Sequence, residues 1–213
     1  MILVILWAFG AFCVLSLCEF LFKRKIIRGE YARKFAHIAL GIYLAVSCLY
    51  LSWDQLRLLI VVGFFGAVAM HFLKLFKSIY DIDRSSWGDL LGPLTFAVLS
   101  FVTTSRVLFI AVVLHVALAD GLAAIVGVRY GKNNGYKVFG YNKSIVGTFT
   151  FFCTSLIIMT AVLSFASIHA PHPELSLVAV PLATAAIENI AIFGVDNLLI
   201  SVTVYGLFSL LKI

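Results

Sequence analysis

The chain has 213 residues, of which 62% are hydrophobic and 12% are charged, and its mean hydropathy is +1.08. Soluble domains carry about 25% charged residues, so this composition excludes an ordinary soluble domain and favours a helical membrane protein. The formal net charge is +6, but the basic residues lie in short loops between apolar runs, so a nucleic-acid partner is not expected.

Long apolar runs, taken in chain order, predict the membrane spans, because about 20 helical residues cross a hydrocarbon core ~30 Å thick. The expected fold class is all-α, a polytopic transmembrane helical bundle of about 7–8 spans. Residues 1–213 are expected to form a single integral-membrane domain. The predicted spans are approximately 2–22, 35–53, 56–76, 88–103, 106–128, 145–168, 175–193 and 196–212.

The distribution of lysine and arginine predicts the orientation of these spans. The loops after the first, third and fifth runs are rich in both residues, whereas the loops after the second, fourth and sixth are poor in them. Basic loops are expected in the cytoplasm, which leaves both termini outside. The polar motifs described below then lie on the cytoplasmic side, so we expect a multi-pass protein whose active site faces the cytoplasm.

The first polar motif runs from Arg33-Lys34 to His37 and continues to Gly41. Arg33 and His37 are i,i+4 neighbours, so they share one face of a helix. The two cations alone fit anchors that extend to the lipid head groups. A histidine inside a span needs a polar partner, so His37 indicates more than anchoring.

Two isolated features receive structural interpretations. Asp89, at the start of the fourth run, fits a charge that complements the helix dipole, and Pro93 fits a tolerated kink. His71 and His115 lie alone within apolar runs and are interpreted as packing residues with one local hydrogen bond each.

The fifth run contains a carboxylate, Asp120, followed by a loop rich in glycine and basic residues. An acid inside the membrane costs at least roughly 2.5–3.5 kcal/mol on insertion scales and usually has a functional role. The loop suits phosphate binding through backbone N–H groups and lysines. It is not a Walker A loop, because Lys143-Ser144 lacks the preceding glycine.

The last motif places Glu188 near the end of the seventh run and Asp196-Asn197 at the start of the eighth. Carboxylate and amide oxygens near a helix break fit Mg²⁺ that is held jointly with substrate phosphates. The alternative is an acid-lined pathway for ions or protons.

Together these motifs resemble one family, the CTP-dependent lipid-alcohol kinases. It comprises the dolichol, phytol and farnesol kinases and the yeast-type diacylglycerol kinase, and is distantly related to the phosphatidate cytidylyltransferases. Four segments match the family in order: Arg33-Lys34-x-x-His37 with Gly41, the Asp-x-x-Ala-x-x-x-Gly-x-x-x-Gly-Lys segment from Asp120 to Lys132, Lys143-Ser144 with Gly147-Thr148, and Glu188 with Asp196-Asn197.

One position departs from the family pattern. Val146 precedes Gly147 where the family often has glutamate, so any metal or catalytic role of that glutamate is missing here. The cytidylyltransferase signature, a His-Gly-Gly stretch followed by Asp-Arg, is not visible in the sequence, which lowers that alternative.

The resemblance implies transfer of the γ-phosphoryl group of CTP to the hydroxyl of a membrane lipid, which gives CDP and a lipid phosphate. The acceptor would be phytol, farnesol, geranylgeraniol, dolichol or diacylglycerol, and Mg²⁺ the cofactor. The alternatives are a cytidylyltransferase that forms a CDP-activated lipid, and an ion- or proton-coupled transporter that uses the same acids.

The resemblance also suggests residue roles. Asp120, Glu188 and Asp196 would be Mg²⁺ ligands, and one of them would accept the alcohol proton. His37 would either orient a phosphate or act as the base. The expected nucleotide-binding residues are Arg33, Lys34, Arg129, Gly131, Lys132, Lys143, Ser144, Gly147 and Asn197.

Overall fold

The apolar runs form helices, because a helix satisfies its backbone N–H and C=O groups internally, as the bilayer requires. The computed structural model describes residues 1–81, 87–165, 171–192 and 194–213. In chain order the helices are α1 Ile2–Lys23, α2 Gly29–Tyr50, α3 Trp53–Leu73, α4 Lys77–Tyr80, α5 Gly88–Val102, α6 Arg106–Leu114, α7 Asp120–Tyr130, α8 Ile145–Phe165, α9 Pro173–Ile190 and α10 Asp196–Leu211.

The helices confirm the predicted class of a polytopic helical membrane protein. Each predicted span overlaps a helix, although residues 166–168 of the sixth span and residue 193 of the seventh lie outside the described residues. Two shorter apolar helices are Gly88–Val102 and Asp196–Leu211. The helices long and apolar enough to cross a membrane are Ile2–Lys23, Gly29–Tyr50, Trp53–Leu73, Arg106–Asn133 and Ile145–Ser164.

Helix α2 begins earlier than hydropathy predicted, at Gly29 rather than at residue 35. Hydropathy assigns charged residues to loops, but here Arg33 pairs with Glu30 and Lys34 pairs with Asp120. Because these cations have acidic partners inside the bundle, the helix includes them. The first polar motif therefore lies within a helix that faces the other polar segments.

The centre of the bundle is the continuous helical segment that includes α6 and α7. Of its most apolar stretch, 61% is buried, against 22% for α1 and for α3. Phe109 on α6 and Phe151 on α8 are completely buried, whereas Phe9 on α1 and Phe65 on α3 are exposed. Exposed apolar side chains on the outer helices are the pattern expected where helices face lipid.

A π-helical segment, His115–Ala119, joins α6 to α7. The buried ring of His115 donates from Nδ1 to the Ala111 carbonyl at 2.7 Å, and its Nε2 pairs with the Ser155 hydroxyl at 2.9 Å. His115 is thus a buried packing residue, as the sequence predicted, but it has two hydrogen-bond partners instead of the one expected. Segments of this type often lie at functional sites, and this one immediately precedes Asp120.

After α7 and a 3₁₀ turn at Gly131–Asn133, the chain forms a β-hairpin that the sequence did not predict. Strands β1 Gly135–Val138 and β2 Tyr141–Ser144 pair antiparallel, with Gly135 opposite Ser144. The linking residues Phe139 and Gly140 have φ of +47° and +85°. Positive φ at both positions is the geometry of a tight two-residue hairpin turn, which Gly140 adopts without steric cost.

Candidate active site

A polar cleft of about 900 Å³ lies where α2, α7 and α9 meet the hairpin and the start of α10. We call it the polar cleft. The candidate residues that line it are Arg33, Lys34, Asp120, Gly131, Lys132, Lys143, Ser144, Gly147, Glu188 and Asp196. Segments far apart in sequence thus supply one cavity.

Three candidates lie outside this lining. Arg129 is exposed, and its guanidinium carbon lies 5.4 Å from the centre of the Tyr130 ring. Asn197 is buried and donates from Nδ2 to the Gly88 carbonyl at 2.9 Å, so it joins α10 to α5. His37 lines a neighbouring apolar cavity instead.

At the deep end of the cleft, Lys34 and Asp120 form a buried ion pair. Their side chains are 4% and 5% exposed, so neither charge is well hydrated. His37 Nε2 lies 3.8 Å from Asp120 Oδ2 and donates to the Val116 carbonyl at 2.9 Å. Since a carbonyl only accepts, Nε2 carries the proton, and in the neutral ring Nδ1 is an acceptor.

Arg33, one residue before this pair, is held by its own acid. Its Nη2 lies 2.5 Å from Glu30 Oε1 and its Nε lies 3.1 Å from Glu30 Oε2. This two-point contact fixes the plane of the guanidinium. Glu30 was not among the sequence candidates, although its position three residues before Arg33 on a helix was a signal for the pair.

Across the cleft, β2 and α9 are joined by Lys143 and Glu188. Lys143 Nζ donates to Glu188 Oε1 at 2.6 Å and to the Glu188 backbone carbonyl at 2.7 Å. Both side chains are largely buried. This contact fixes the hairpin against the end of α9.

The glycines of the loop motif pack around the hydroxyl of Ser144. A Cβ placed on Gly131 would lie 2.6 Å from Ser144 Cβ, and one on Gly147 would lie 2.9 Å from Ser144 Oγ. The Ser144 hydroxyl also accepts from the Gly147 backbone N–H at 3.1 Å. These glycines, which the sequence suggested for phosphate contact, therefore hold the hairpin closely against α7 and α8.

Other cleft residues were missed at the sequence level. The Tyr136 hydroxyl pairs with Thr148 Oγ1 at 2.7 Å and donates to Asn189 Oδ1 at 2.9 Å, which joins β1 to α8 and α9. The carboxylate of Asp81 accepts from the Gly29 N–H at 3.1 Å. Tyr136 lies inside the glycine-rich basic loop, but no periodic pattern marks it or Asp81.

Asp89 and His71 also have partners that sequence reasoning missed. His71 Nδ1 and Asp89 Oδ2 lie 2.7 Å apart, so His71 has a hydrogen-bond partner, but on another helix rather than nearby in the chain. Asp89 lies in the first turn of α5, where a carboxylate complements the helix dipole as expected. Together the two residues join α3 to α5 at the end of the bundle where α2 begins its polar motif.

The described residues of the cleft do not form a preformed metal cage. Within the described residues, no group of three or more histidine, cysteine, aspartate or glutamate side chains is close enough to hold a metal. Asp120 and Glu188 face lysines, while Asp196 accepts from the Asn197 N–H at 2.9 Å. Mg²⁺ usually takes one or two protein carboxylates, with substrate phosphates and waters completing its shell. The donor set fits that mode but not a three-carboxylate cluster.

The charge of the lining fits the same mode. Among the described residues the cleft has five carboxylates and five basic side chains. With all of them ionised, the lining is close to neutral, so it offers a triphosphate little net attraction. A divalent cation bound with the phosphates would offset part of the negative charge of the triphosphate.

Comparison with curated proteins identifies a relative. A phytol kinase of Synechocystis sp. (strain ATCC 27184 / PCC 6803 / Kazusa) is 29% identical over 198 residues, which cover 87% of this chain and 81% of that protein. The chain is therefore similar to a phytol kinase over most of its length, which supports the resemblance to the polyprenol and phytol kinases. The family resemblance inferred from the four motifs is confirmed to that extent. No family model and no solved structure matches the chain.

The matched length includes most of the helical bundle. Val146, the departure from the family pattern, is half-buried and does not line the polar cleft. The five acids of the cleft come from other positions, so its charge balance does not depend on an acid at Val146.

Proposed function

We propose that this membrane protein is a lipid-alcohol kinase that transfers the γ-phosphoryl group of CTP to the hydroxyl of a prenol. The observation that carries this proposal is the polar cleft, where acids and bases from segments far apart in sequence converge at one end of an apolar bundle. The relationship to a phytol kinase supports the same reaction class. The choice of CTP follows from the motif resemblance.

The hairpin side of the cleft suits the nucleotide. Lys132 and Lys137 line it and extend from the loop, while Lys143 is fixed against Glu188. Phosphoryl transfer depends on positioning and on neutralisation of charge more than on covalent chemistry by the protein. These cations would therefore hold the triphosphate in line with the acceptor.

Asp196 and Glu188 are the acids that we assign to Mg²⁺, together with phosphate oxygens of the nucleotide. Asp196 accepts from the Asn197 backbone N–H and interacts electrostatically with Arg33. A bound Mg²⁺ would neutralise charge on the phosphates. Asp120, which is buried against Lys34, is assigned to the deep wall beside the reacting hydroxyl.

His37 is the residue that we assign to the alcohol proton. Its Nδ1 is an acceptor because Nε2 donates to the Val116 carbonyl. In the proposed step the alcohol oxygen forms a bond to the γ-phosphorus, the bond from that phosphorus to the β–γ bridging oxygen breaks, and the alcohol proton passes to His37. The products are CDP and the lipid phosphate.

The test uses purified full-length protein in detergent, labelled CTP with Mg²⁺, and a panel of phytol, farnesol, geranylgeraniol, dolichol and diacylglycerol. We expect a labelled lipid phosphate from at least one alcohol, and loss of product when Mg²⁺ is removed by chelation. Folded protein that phosphorylates no member of the panel would contradict the proposal. A CDP-lipid with release of pyrophosphate would instead show a cytidylyltransferase.

A further inference from the structure

A second cavity, of about 510 Å³, lies beside the polar cleft among α1, α2, α3, α4 and α5. We call it the tail cavity. Its lining is almost entirely aliphatic or aromatic, and Arg33 lines both this cavity and the polar cleft. The two cavities therefore meet at Arg33, with His37 one helical turn further along α2.

The polar side chains of the tail cavity gather at the end where the two cavities meet. Arg33 and His37 lie near the start of α2, Asp89 lies at the start of α5, and Tyr80 ends α4. Burial, followed by the charge of Asp89, raises the pKa of Tyr80 above its ordinary value, so its hydroxyl stays protonated. Further along α2, the Tyr43 hydroxyl already donates to the Trp7 carbonyl at 2.8 Å.

The apolar part of the cavity is long. Its lining on α2 runs from Arg33 to Leu44 and on α3 from Leu59 to Met70. At 1.5 Å per residue each stretch is about 16 Å, roughly half the thickness of the hydrocarbon core. The volume is that of a site for one small molecule. One polar end and one long apolar body match the shape of an alcohol with a single hydrocarbon tail.

Small residues on α3 open this cavity towards the bilayer. Gly63 and Gly66 both line it and are both exposed. A Cβ built on either one meets no atom within 4 Å. By contrast, a Cβ on Gly41 would lie 2.1 Å from Ala117 Cβ, so that glycine is needed for helix contact. Gly63 and Gly66 leave space that packing does not require.

We infer that the tail cavity binds the hydrocarbon tail of one single-chain prenol, and that Gly63 and Gly66 set the chain length and branching it accepts. This inference rests on the proposed kinase function and adds the binding site of the prenol tail and the residues that select its length. The tail enters from the bilayer past α3, and the hydroxyl lies at Arg33 and His37, where the nucleotide side begins. The tail cavity has room for only one chain of a two-chain lipid.

The variants Gly63→Leu and Gly66→Leu test this site, with Gly206→Leu as the matched control. Gly206 lies in α10, lines neither cavity, and also has open space around an added Cβ. Leucine is a better helix former than glycine, so all three variants should fold. The measurement is kcat/KM for geraniol, farnesol, geranylgeraniol and phytol, with the KM for CTP measured in parallel.

We expect Gly63→Leu and Gly66→Leu to lower kcat/KM for geranylgeraniol and phytol by about tenfold or more. For geraniol we expect the value to stay within about threefold of wild type, and the KM for CTP not to change. Gly206→Leu should have the wild-type kcat/KM for every alcohol and the wild-type KM for CTP. Equal losses for all chain lengths, an unchanged chain-length profile, or diacylglycerol as the preferred substrate would overturn the inference.

A binding measurement separates this inference from the kinase proposal. A photoreactive geranylgeraniol analogue should label peptides that contain residues 59–70, and Gly66→Leu should reduce that labelling at least several-fold. If wild type shows labelling but no phosphoryl transfer, the kinase proposal fails and the tail site stands. If it phosphorylates prenols but labels elsewhere, the tail site is wrong and the kinase proposal stands.

Discussion

At the scale of single residues, the buried pair of Lys34 and Asp120 explains how an acid is tolerated in the middle of the chain. The sequence suggested Asp120 as a metal ligand, and the structure gives it a lysine partner 86 positions away. A buried charge without a partner is costly, so each residue depends on the other. The pair also lines the polar cleft, so we propose for it a chemical as well as a structural role.

We predict that Asp120→Asn loses activity by about a hundredfold or more and lowers the free energy of unfolding by about 3–5 kcal/mol. Stability is measured by thermal unfolding in detergent, and activity by phosphoryl transfer from CTP. The control is the double variant Lys34→Met, Asp120→Leu, which removes both charges and should recover most of the lost stability but none of the activity. If the double variant regained activity together with stability, the pair of Lys34 and Asp120 would be purely structural.

A second prediction separates two cations that the sequence treated alike. Lys143 lines the polar cleft and contacts Glu188, whereas Arg129 is exposed and outside the lining. Lys143→Met should raise the KM for CTP by about tenfold to a hundredfold, because a charge-assisted contact to phosphate is worth about 1.5–3 kcal/mol. Arg129→Met should leave the KM within about twofold of wild type. Equal effects of the two changes would contradict the assignment of nucleotide contacts to the cleft.

At the scale of secondary-structure elements, the hairpin is the part that the sequence did not reveal. Its four-residue strands are short, and the turn at Phe139-Gly140 lacks the Asn-Gly or Asp-Gly pair that signals such turns. The motifs mark the residues of the loop but do not indicate their conformation. The glycines were assigned to phosphate contact, and only the packing distances showed that they accommodate Ser144.

We predict that Gly131→Ala displaces the hairpin, because the added Cβ would lie 2.6 Å from Ser144 Cβ. The free energy of unfolding should fall by about 1–3 kcal/mol. The value of kcat/KM should fall more for CTP than for the alcohol. Gly206→Ala, which has open space, should cause neither loss. Combining Gly131→Ala with Ser144→Gly removes the contact and should restore stability, and failure of this rescue would argue against the packing role.

At the scale of the whole molecule, two cavities of different chemistry meet at the start of α2. The eight apolar runs and the four motifs were readable in the sequence because hydropathy and local spacing are local properties. Three ion pairs were not readable in the sequence, because each joins different helices or loops. They are Lys34 with Asp120, His71 with Asp89, and Lys143 with Glu188. The earlier start of α2 follows from one of these pairings.

From the arrangement of the two cavities, we propose that a nucleotide and a lipid alcohol meet at Arg33 and His37. Arg33 lines both cavities, and His37 Nε2 lies 3.8 Å from Oδ2 of Asp120, the partner of Lys34. A kinase needs one reactant on each side of this junction, with the terminal phosphate nearest the hydroxyl. A cytidylyltransferase would need the α-phosphate at the same place.

The position of the transferred phosphorus tests this claim most directly. Purified protein with Mg²⁺ and geranylgeraniol is incubated with CTP labelled at the γ-phosphate in one reaction and at the α-phosphate in another. We predict that the γ-label appears in the lipid phosphate and that the α-label stays in the CDP. Transfer of the α-label to the lipid, or transfer of neither label by folded protein, would contradict the account.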